Sequence, residues 1–359
     1  MNKLRWGILS TANIGRKNWK AIHQSGNAVV TAVASRDVER SRKFIGECQA
    51  DAPFETSPSP LGSYEELLAS KTVDAVYIPL PTGLRKEWVL RAAAAGKHVI
   101  CEKPCAINAV DVREMIAACK KNNVQFMDGV MFMHNARMNR MRAALDGGPG
   151  IGEIRRIMSA FSFHMDEKTF DANVRVDSRL EPAGCLGDLG WYCIRFALWT
   201  MGWQLPREVT GRILSARGAR SSPSPVPVDF SAELIFDGGA SAGFYCSFLS
   251  EYQNWVHVSG TKGSLRLADF VHASSDHEPA FEVNQTETRV KCCDCKADHN
   301  ATGAVAQQTQ MFRNFSKQIH SGKLNDEWPM TALKTQQVTD ACFESAQNGG
   351  RPVQLASAK

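Results

Sequence analysis

The sequence predicts an α/β chain in two parts: an N-terminal doubly wound parallel sheet and a C-terminal α+β domain with a large, open, mostly antiparallel sheet. Three observations predict it. At 359 residues the chain exceeds the size at which one hydrophobic core keeps growing. Up to about Asp128, short apolar or β-branched runs alternate with segments of helical period, which is a βαβ pattern. Past Gly147-Gly148-Pro149-Gly150 the alternation gives way to longer strand-like runs paired across Gly-rich turns. The boundary is placed so that residues 1–128 form the first domain and 129–359 the second.

Each element follows from its own signal. Strands are expected at 5–9, 29–34, 74–79, 98–101 and 124–127, all apolar enough to be covered on both faces as parallel strands are. A helix over 84–95 ends before Gly96, a good residue for a left-handed C-terminal turn. Asn108 stands where an N-cap opens the helix running to Lys121. In the second part a strand over 153–163 precedes a loop-rich stretch and a helix from about Leu186 to Trp199. Runs 228–236 and 240–248 flank Asp237-Gly238-Gly239, and runs 255–259 and 264–267 flank Thr261-Lys262-Gly263, so two antiparallel hairpins are expected. Helices on one face of such a sheet leave the other to be covered, and a second subunit would do that. The Pro/Ser stretches 57–60 and 221–227 read as surface connections.

Composition narrows the function classes. Hydrophobic residues make up 43% and charged residues 22%, ordinary for a globular chain. The net charge of +5 is small, with Lys and Arg interleaved among Asp and Glu, which argues against nucleic acid and suits an anionic small molecule. No apolar run approaches the roughly 18 residues of a membrane helix, and no signal-peptide pattern precedes the first strand, so a cytoplasmic protein with no membrane partner is expected. The 11 cysteines are scattered, with Cys101, Cys119 and Cys246 in apolar runs where they read as buried hydrophobes. Cys292-Cys293-Asp294-Cys295 with His299 has soft ligand types but lacks a second paired half, so no metal is expected.

The chemistry-bearing motifs fall at strand ends. The first strand delivers Gly7 and then Ser10-Thr11-Ala12-Asn13-Ile14-Gly15 into a helix, small residues that let backbone N–H groups approach a pyrophosphate. Read as GxGxxG its positions hold Ser10, Ala12 and Gly15, and an ordinary strand-helix turn fits equally. The second strand ends in Ser35-Arg36-Asp37. With no acid at the strand end and with Arg36 and Arg40 close by, this suits a ribose 2′-phosphate, hence NADP rather than NAD; a solvated Arg at a helix start is the bland alternative. Leu80-Pro81 and Glu102-Lys103-Pro104 follow later strands, and Lys103 has the chemistry to donate to a substrate oxygen. Gly187-Asp188-Leu189-Gly190-Trp191-Tyr192 places Asp188 and Tyr192 four apart, on one helical face. Trp191 is a candidate to pack on a substrate ring, although a core role suits it as well, and His134 with Asn135 suits either a pocket or a structural role.

Together these motifs resemble the Gfo/Idh/MocA superfamily of glucose-fructose oxidoreductase, inositol dehydrogenase and dihydrodiol dehydrogenase. The resemblance runs through 7–14, 34–37, 73–81, 95–99, Glu102-Lys103-Pro104, 151–154, 187–192 and 260–263. Residues 127–131, His134-Asn135 and 245–248 are most similar to the dihydrodiol dehydrogenase-like branch. The resemblance implies a Rossmann domain, with Lys103, Tyr192 and Asp188 acting at the reacting carbon and Arg175 helping to shape the substrate site. It implies an NADP(H)-dependent oxidoreductase acting on a carbonyl or secondary alcohol of a sugar, polyol or cyclic trans-diol, in a homodimer or larger homo-oligomer. Two departures stand out: Arg85 where relatives near the branch carry His, and Ala183-Gly184-Cys185 where many relatives carry three glycines. A catalytically silent dinucleotide-binding sensor or partner subunit of the same fold is the alternative, since fold alone does not decide function. A reductase of another conjugated substrate, as in biliverdin-type relatives, is a further one.

Overall fold

The computed structural model describes residues 3–146, 150–273, 280–290 and 306–355. In chain order the first elements are β1 (Leu4–Leu9), α1 (Asn13–Ser25), β2 (Ala28–Ala34), α2 (Val38–Asp51), β3 (Ser59–Leu61), α3 (Tyr64–Ala69), β4 (Ala75–Ile78), α4 (Thr82–Ala94), β5 (His98–Cys101), α5 (Ala109–Lys121) and β6 (Phe126–Asp128). After α6 (Ala136–Asp146) come β7 (Ile154–Ser162), α7 (Glu167–Phe170), α8 (Trp191–Thr200), β8 (Glu208–Arg217), β9 (Val226–Ile235), β10 (Ser241–Ser247), β11 (Gln253–Gly260) and β12 (Ser264–Leu267). The chain closes with β13 (Ala280–Val283), β14 (Thr286–Arg289), α9 (Ala306–His320), α10 (Glu327–Gln347) and β15 (Val353–Gln354).

These elements gather into two compact units, each assembled from separate stretches of chain. The first takes the chain up to 105, then 110–135, and the stretch ending at 330 that carries α9. Its sheet has six parallel strands in the order β3-β2-β1-β4-β5-β6. The order reverses next to β1, which places a crevice at the carboxyl ends of β1 and β4 where ligands bind in such sheets. All four residues of β4 are buried, as an inner strand of a doubly covered sheet requires. α9 covers one side of this unit through Phe312, whose ring meets those of Trp6 at 5.0 Å and Tyr77 at 5.7 Å. Arg313 on the same helix donates to the carbonyls of Ser25 (2.9 Å) and Gln24 (3.1 Å), which α1 leaves without intrahelical donors at its C-terminus.

The second unit is built on a nine-stranded sheet, β14-β13-β12-β11-β7-β10-β9-β8-β15. Only β7 and β10 run parallel; every other pair is antiparallel. The expected hairpins are β9-β10, turning through Gly238 (φ 76°) and Gly239 (φ 84°), and β11-β12. Along β11 the burial alternates: Asn254, Val256 and Val258 are buried while Gln253, Trp255 and His257 are half-exposed. α8 packs on the buried side, against β7 and β10. The opposite side holds a shallow cavity of about 510 Å³ lined by Met158, Arg212, Tyr245 and Trp255.

Three sequence expectations change. The Pro/Ser stretch at 57–60 supplies the edge strand β3, where Pro60 is tolerated because an edge residue need not donate to a neighbour. The stretch at 221–227 likewise ends inside β9, with Val226 and Pro227 buried. The helix expected over 186–199 is not uniform: Leu186–Gly190 is a π-helical turn, and the α-helix begins at Trp191. The eight described cysteines are all free and buried, Cys101, Cys119 and Cys246 among them. Cys292, Cys293, Cys295 and His299 lie outside the described residues, and no described helix is long and apolar enough to cross a membrane.

Candidate active site and its relatives

In the first unit the candidate residues lie on four loops at strand ends. β1 ends at Leu9, and Ser10 turns the chain with φ 112°, a left-handed conformation uncommon for serine. The turn is held by its own hydrogen bonds: Ser10 N donates to Ala34 O (2.8 Å) and Ser10 Oγ accepts from Ala12 N (3.2 Å). Helix α1 then opens on Ala12, which offers no capping side chain, and no acid occupies its first turn. Its leading N–H groups, with Thr11, Asn13 and exposed Ile14 around them, form an end that favours an anion. Gly15 lets α1 approach α2, since a Cβ there would come within 3.2 Å of Phe44. Gly7 has a different use from its neighbours. It is buried in mid-strand, and a Cβ would lie 2.6 Å from Leu67, so its smallness serves strand-helix packing beneath the loop.

At the end of β2 the two candidate residues part company. Ser35 is buried; its hydroxyl donates to Asp37 O (2.5 Å) and accepts from Asp37 N (3.2 Å) and Ser41 Oγ (3.1 Å), so it shapes the turn. The Asp37 carboxylate caps α2 by accepting from Glu39 N (2.9 Å). Arg36 and Arg40 are exposed, and neither forms an ion pair among the described residues. Two cations beside a strand end with no inward acid match a phosphorylated ribose.

The loops after β4 and β5 are joined from within. Arg85 is only 6% exposed; its Nε donates to Leu80 O (2.6 Å), and its Nη1 donates to Thr82 Oγ1 (2.8 Å) and to Pro104 O. One buried guanidinium thus ties the Leu80-Pro81 turn to the Lys103-Pro104 turn, a role the sequence did not reveal. On the other side of Lys103, Glu102 Oε1 accepts from Tyr77 Oη (2.6 Å), and Tyr77 Oη accepts from Asn18 Nδ2 of α1 (2.5 Å). Burial, reinforced by the Glu102 charge, pushes the Tyr77 phenol well above its ordinary pKa, so it remains the donor. Gly129 makes room for this carboxylate, because a Cβ there would stand 3.0 Å from Glu102 Oε1. Half-buried Lys103 therefore sits on a backbone clamped at the residues before and after it.

In the second unit Arg175 and Asp188 come together, Nε donating to Oδ2 at 2.7 Å. The Asp188 charge raises the Arg175 pKa, so the guanidinium stays cationic. Asp188 belongs to the π turn and Tyr192 to the first turn of α8, and both groups act electrostatically on Arg175. A π turn displaces the residues on either side of it, a distortion that often accompanies functional sites. Tyr192 is 7% exposed and packs edge-on to Phe161, ring centroids 5.6 Å apart. Trp191 is corrected from substrate contact to core: it is 0% exposed, with the Arg195 guanidinium 5.8 Å from its ring, which leaves no face for a ligand. The Ala183-Gly184-Cys185 stretch keeps the one glycine its geometry requires. Gly184 has φ 49°, and a Cβ would collide with Pro227 O at 2.1 Å. His134 and Asn135 make structural bonds, Nδ1 to Asn314 Nδ2 (3.3 Å) and Nδ2 to Gln307 Oε1 (3.1 Å).

Comparison with known proteins agrees with this arrangement. Residues 4–130 match a family described as an oxidoreductase family with an NAD-binding Rossmann fold, and residues 138–266 match the GFO/IDH/MocA C-terminal domain. The chain is 33% identical over 268 residues to mouse (Mus musculus) trans-1,2-dihydrobenzene-1,2-diol dehydrogenase, covering 74% of each protein. It is 29% identical over 357 residues to D-xylose 1-dehydrogenase (NADP(+)) 2 of Haloferax volcanii, covering 96% of this chain and 98% of that one. Among solved structures, KijD10, a 3-ketoreductase from Actinomadura kijaniata crystallised with NADP and TDP-benzene, superimposes with a TM-score of 0.80 at 25% identity, covering 96% of this chain and 98% of that one. With both halves matched, the chain belongs to the Gfo/Idh/MocA family of oxidoreductases.

Proposed function

We propose that the chain is an NADP(H)-dependent oxidoreductase that interconverts a carbonyl and a secondary alcohol on a sugar, polyol or cyclic trans-diol in the cytoplasm. The observation that carries the cofactor choice is the end of β2, where Arg36 and Arg40 stand exposed, Asp37 is used in capping α2 and Glu39 is paired with Arg42. The uncapped start of α1 supplies donors for a pyrophosphate, so the residues present fit the cofactor. Bound NADP(H) supplies or accepts the hydride. In this reading the first unit, including α9, serves the cofactor, and the second serves the substrate and dimerisation.

The chain's own groups handle the proton and the oxygen. Tyr192 gives or takes the proton at its Oη, Lys103 lowers that pKa or holds the oxygen, and Asp188 orients the group while paired with Arg175. The relatives support the substrate range, since their names include a diol dehydrogenase, a xylose dehydrogenase and a ketoreductase.

Fluorescence titration of NADPH and NADH tests the cofactor assignment. NADPH should bind more tightly, and Arg36→Ala should selectively weaken it by roughly 1.5–3 kcal/mol, the worth of a charge-assisted contact. Equal affinity, or a preference for NADH, rules it out. Turnover of NADPH with a panel of sugars, ketones and diols then identifies the substrate. We assign the open sheet face, with Tyr245 and Trp255 around its cavity, to a homodimer contact. Sedimentation at micromolar concentration should show a dimer or larger, and a monomer throughout would contradict it.

A further inference from the structure

Three polar side chains of the first unit form a line that starts inside its core and ends at the crevice. Asn18 of α1 is 1% exposed, Tyr77 of β4 is 0% exposed, and Glu102, just past β5, is half-buried. Asn18 Nδ2 donates to Tyr77 Oη (2.5 Å), and Tyr77 Oη donates to Glu102 Oε1 (2.6 Å).

The direction of the line is fixed. A carboxylate only accepts, so the single Tyr77 proton goes to Glu102, and the phenol oxygen is left to accept from Asn18. Turning the Asn18 amide round would set its oxygen in competition with Glu102 for that proton. The observed orientation leaves Asn18 Oδ1 buried and without a partner among the described residues. That costs free energy, and the bond to a charged group, roughly twice as strong as a neutral one, offsets it. The Tyr77 ring is held as well, edge-on to Phe312 at 5.7 Å. Apolar side chains of similar shape would fill this space with little loss of stability, but they would not fix where a carboxylate sits.

The sheet order says which part of a dinucleotide meets this carboxylate. In the reading above the ends of β2 and β1 take the 2′-phosphate and the pyrophosphate, so the rest of the cofactor continues past β4 toward β5. There Glu102 Oε2 has no donor among the described residues, and a ribose carries hydroxyl groups that can supply one. We propose that Tyr77, with Asn18 behind it, is a positioning residue for the nicotinamide half of the cofactor: by holding Glu102 Oε1 it presents Oε2, and with it the Lys103 turn, to that half alone. This inference rests on the oxidoreductase reading and adds a residue that acts from beneath the site.

The test compares two ligands by calorimetry: NADPH, and adenosine 2′,5′-bisphosphate, which keeps the adenosine half and lacks the nicotinamide half. Tyr77→Phe keeps the ring and its contact with Phe312 and removes the proton that Glu102 accepts. NADPH should then bind about three- to tenfold more weakly, the worth of one hydrogen bond, while the affinity for the bisphosphate stays as it was. Asn18→Leu should shift NADPH in the same direction by a smaller factor, because Tyr77 keeps its bond to Glu102. Weakening of the bisphosphate along with NADPH would make Tyr77 structural, and weakening of neither would detach it from the cofactor; either result overturns the proposal. In both cases the native protein still binds NADPH and the oxidoreductase reading stands, whereas a native protein that binds neither ligand refutes that reading and the proposal with it. If Tyr77→Phe does not fold, the ratio of the two affinities in Asn18→Leu decides, and loss of folding in both variants makes the line structural.

Discussion

The two units hold their chemical groups in place by opposite means. In the first, the groups sit on short loops whose backbones are tied down from below: Arg85 reaches three oxygens across two loops, and Tyr77 and Asn18 secure Glu102. In the second, they sit on a distorted helix and on strand ends, positioned by rings packed against rings, as Phe161 is among Tyr192, Tyr252 and His272. A site that presents backbone N–H groups and one lysine needs a fixed main chain. A site that presents a phenol needs fixed side chains, and aromatic packing supplies them. The comparison teaches where substitutions should be tolerated: ring-conserving changes in the second unit, but not loss of buried donors in the first.

The largest expected effect tests the side-chain half directly. Tyr192→Phe keeps the ring and its contact with Phe161 and removes only the hydroxyl, so turnover on a verified substrate should fall about 100- to 10,000-fold while stability and NADPH affinity hold. Lys103→Met should fall similarly, and the double variant should be little worse than the more damaged single one, because groups acting as a unit are strongly non-additive. Near-normal turnover in both single variants would make Lys103 and Tyr192 structural residues.

The next effect tests the backbone half. Arg85→Met leaves the Leu80 and Pro104 carbonyls without their buried donor, which should lower unfolding free energy by roughly 1–3 kcal/mol in a urea titration. Arg85→Lys should recover only part of this, since a single ammonium cannot reproduce a planar fork that reaches separate loops. If Arg85→Met were as stable as the native chain, the clamp would be incidental and the contrast between the units would fail.

The same contrast explains what the sequence could and could not disclose. Regular periodicity revealed most strands, so β5 and β12 fall on the expected residues, and the hairpins at Gly238-Gly239 and at Thr261-Lys262-Gly263 follow from their turn residues. Loop motifs pointed to Ser10 to Gly15, Arg36 and Lys103, because backbone approach and charge leave local signatures, and the structure sets these stretches directly after β1, β2 and β5. The clamps did not show. Arg85 and Pro104 are 19 positions apart, and Tyr77 and Glu102 are 25 apart, and nothing in either local sequence indicates that a side chain will reach that far. The π turn escaped for a different reason: Leu186 to Tyr192 fits a regular helix by pattern, and the close packing that leaves no room for a Cβ at Gly190, against Leu186, Cys246 and Phe244, involves residues more than 50 positions away. Nor does anything before α9 announce its return to the first unit, where Phe312 meets Trp6 and Arg313 meets Ser25, 288 positions away in the second case.

The smallest effect concerns His98, which opens β5 in the first unit and extends the backbone-clamp idea to pH. Its Nδ1 accepts the backbone N–H of Gln125 at 2.9 Å, so the ring must be unprotonated at that nitrogen for the contact to exist. Burial lowers its pKa below the ordinary 6.5, with the Asp74 charge pulling weakly the other way. In the unfolded chain the same ring takes its proton near the ordinary value, so below about pH 6.5 the unfolded state binds more protons than the folded one. The stability His98 contributes is therefore complete above that pH and is lost as pH falls through the lower folded value. His98→Gln offers an amide oxygen that can accept the same N–H and does not titrate. Urea midpoints measured from pH 7.5 down to 5.5 should fall more steeply for the native chain than for His98→Gln, with the gap between the two closing as the medium turns acid. Parallel profiles would mean that His98 is solvated enough to take its proton in the folded state, and that the Gln125 contact does not hold the amino end of β5.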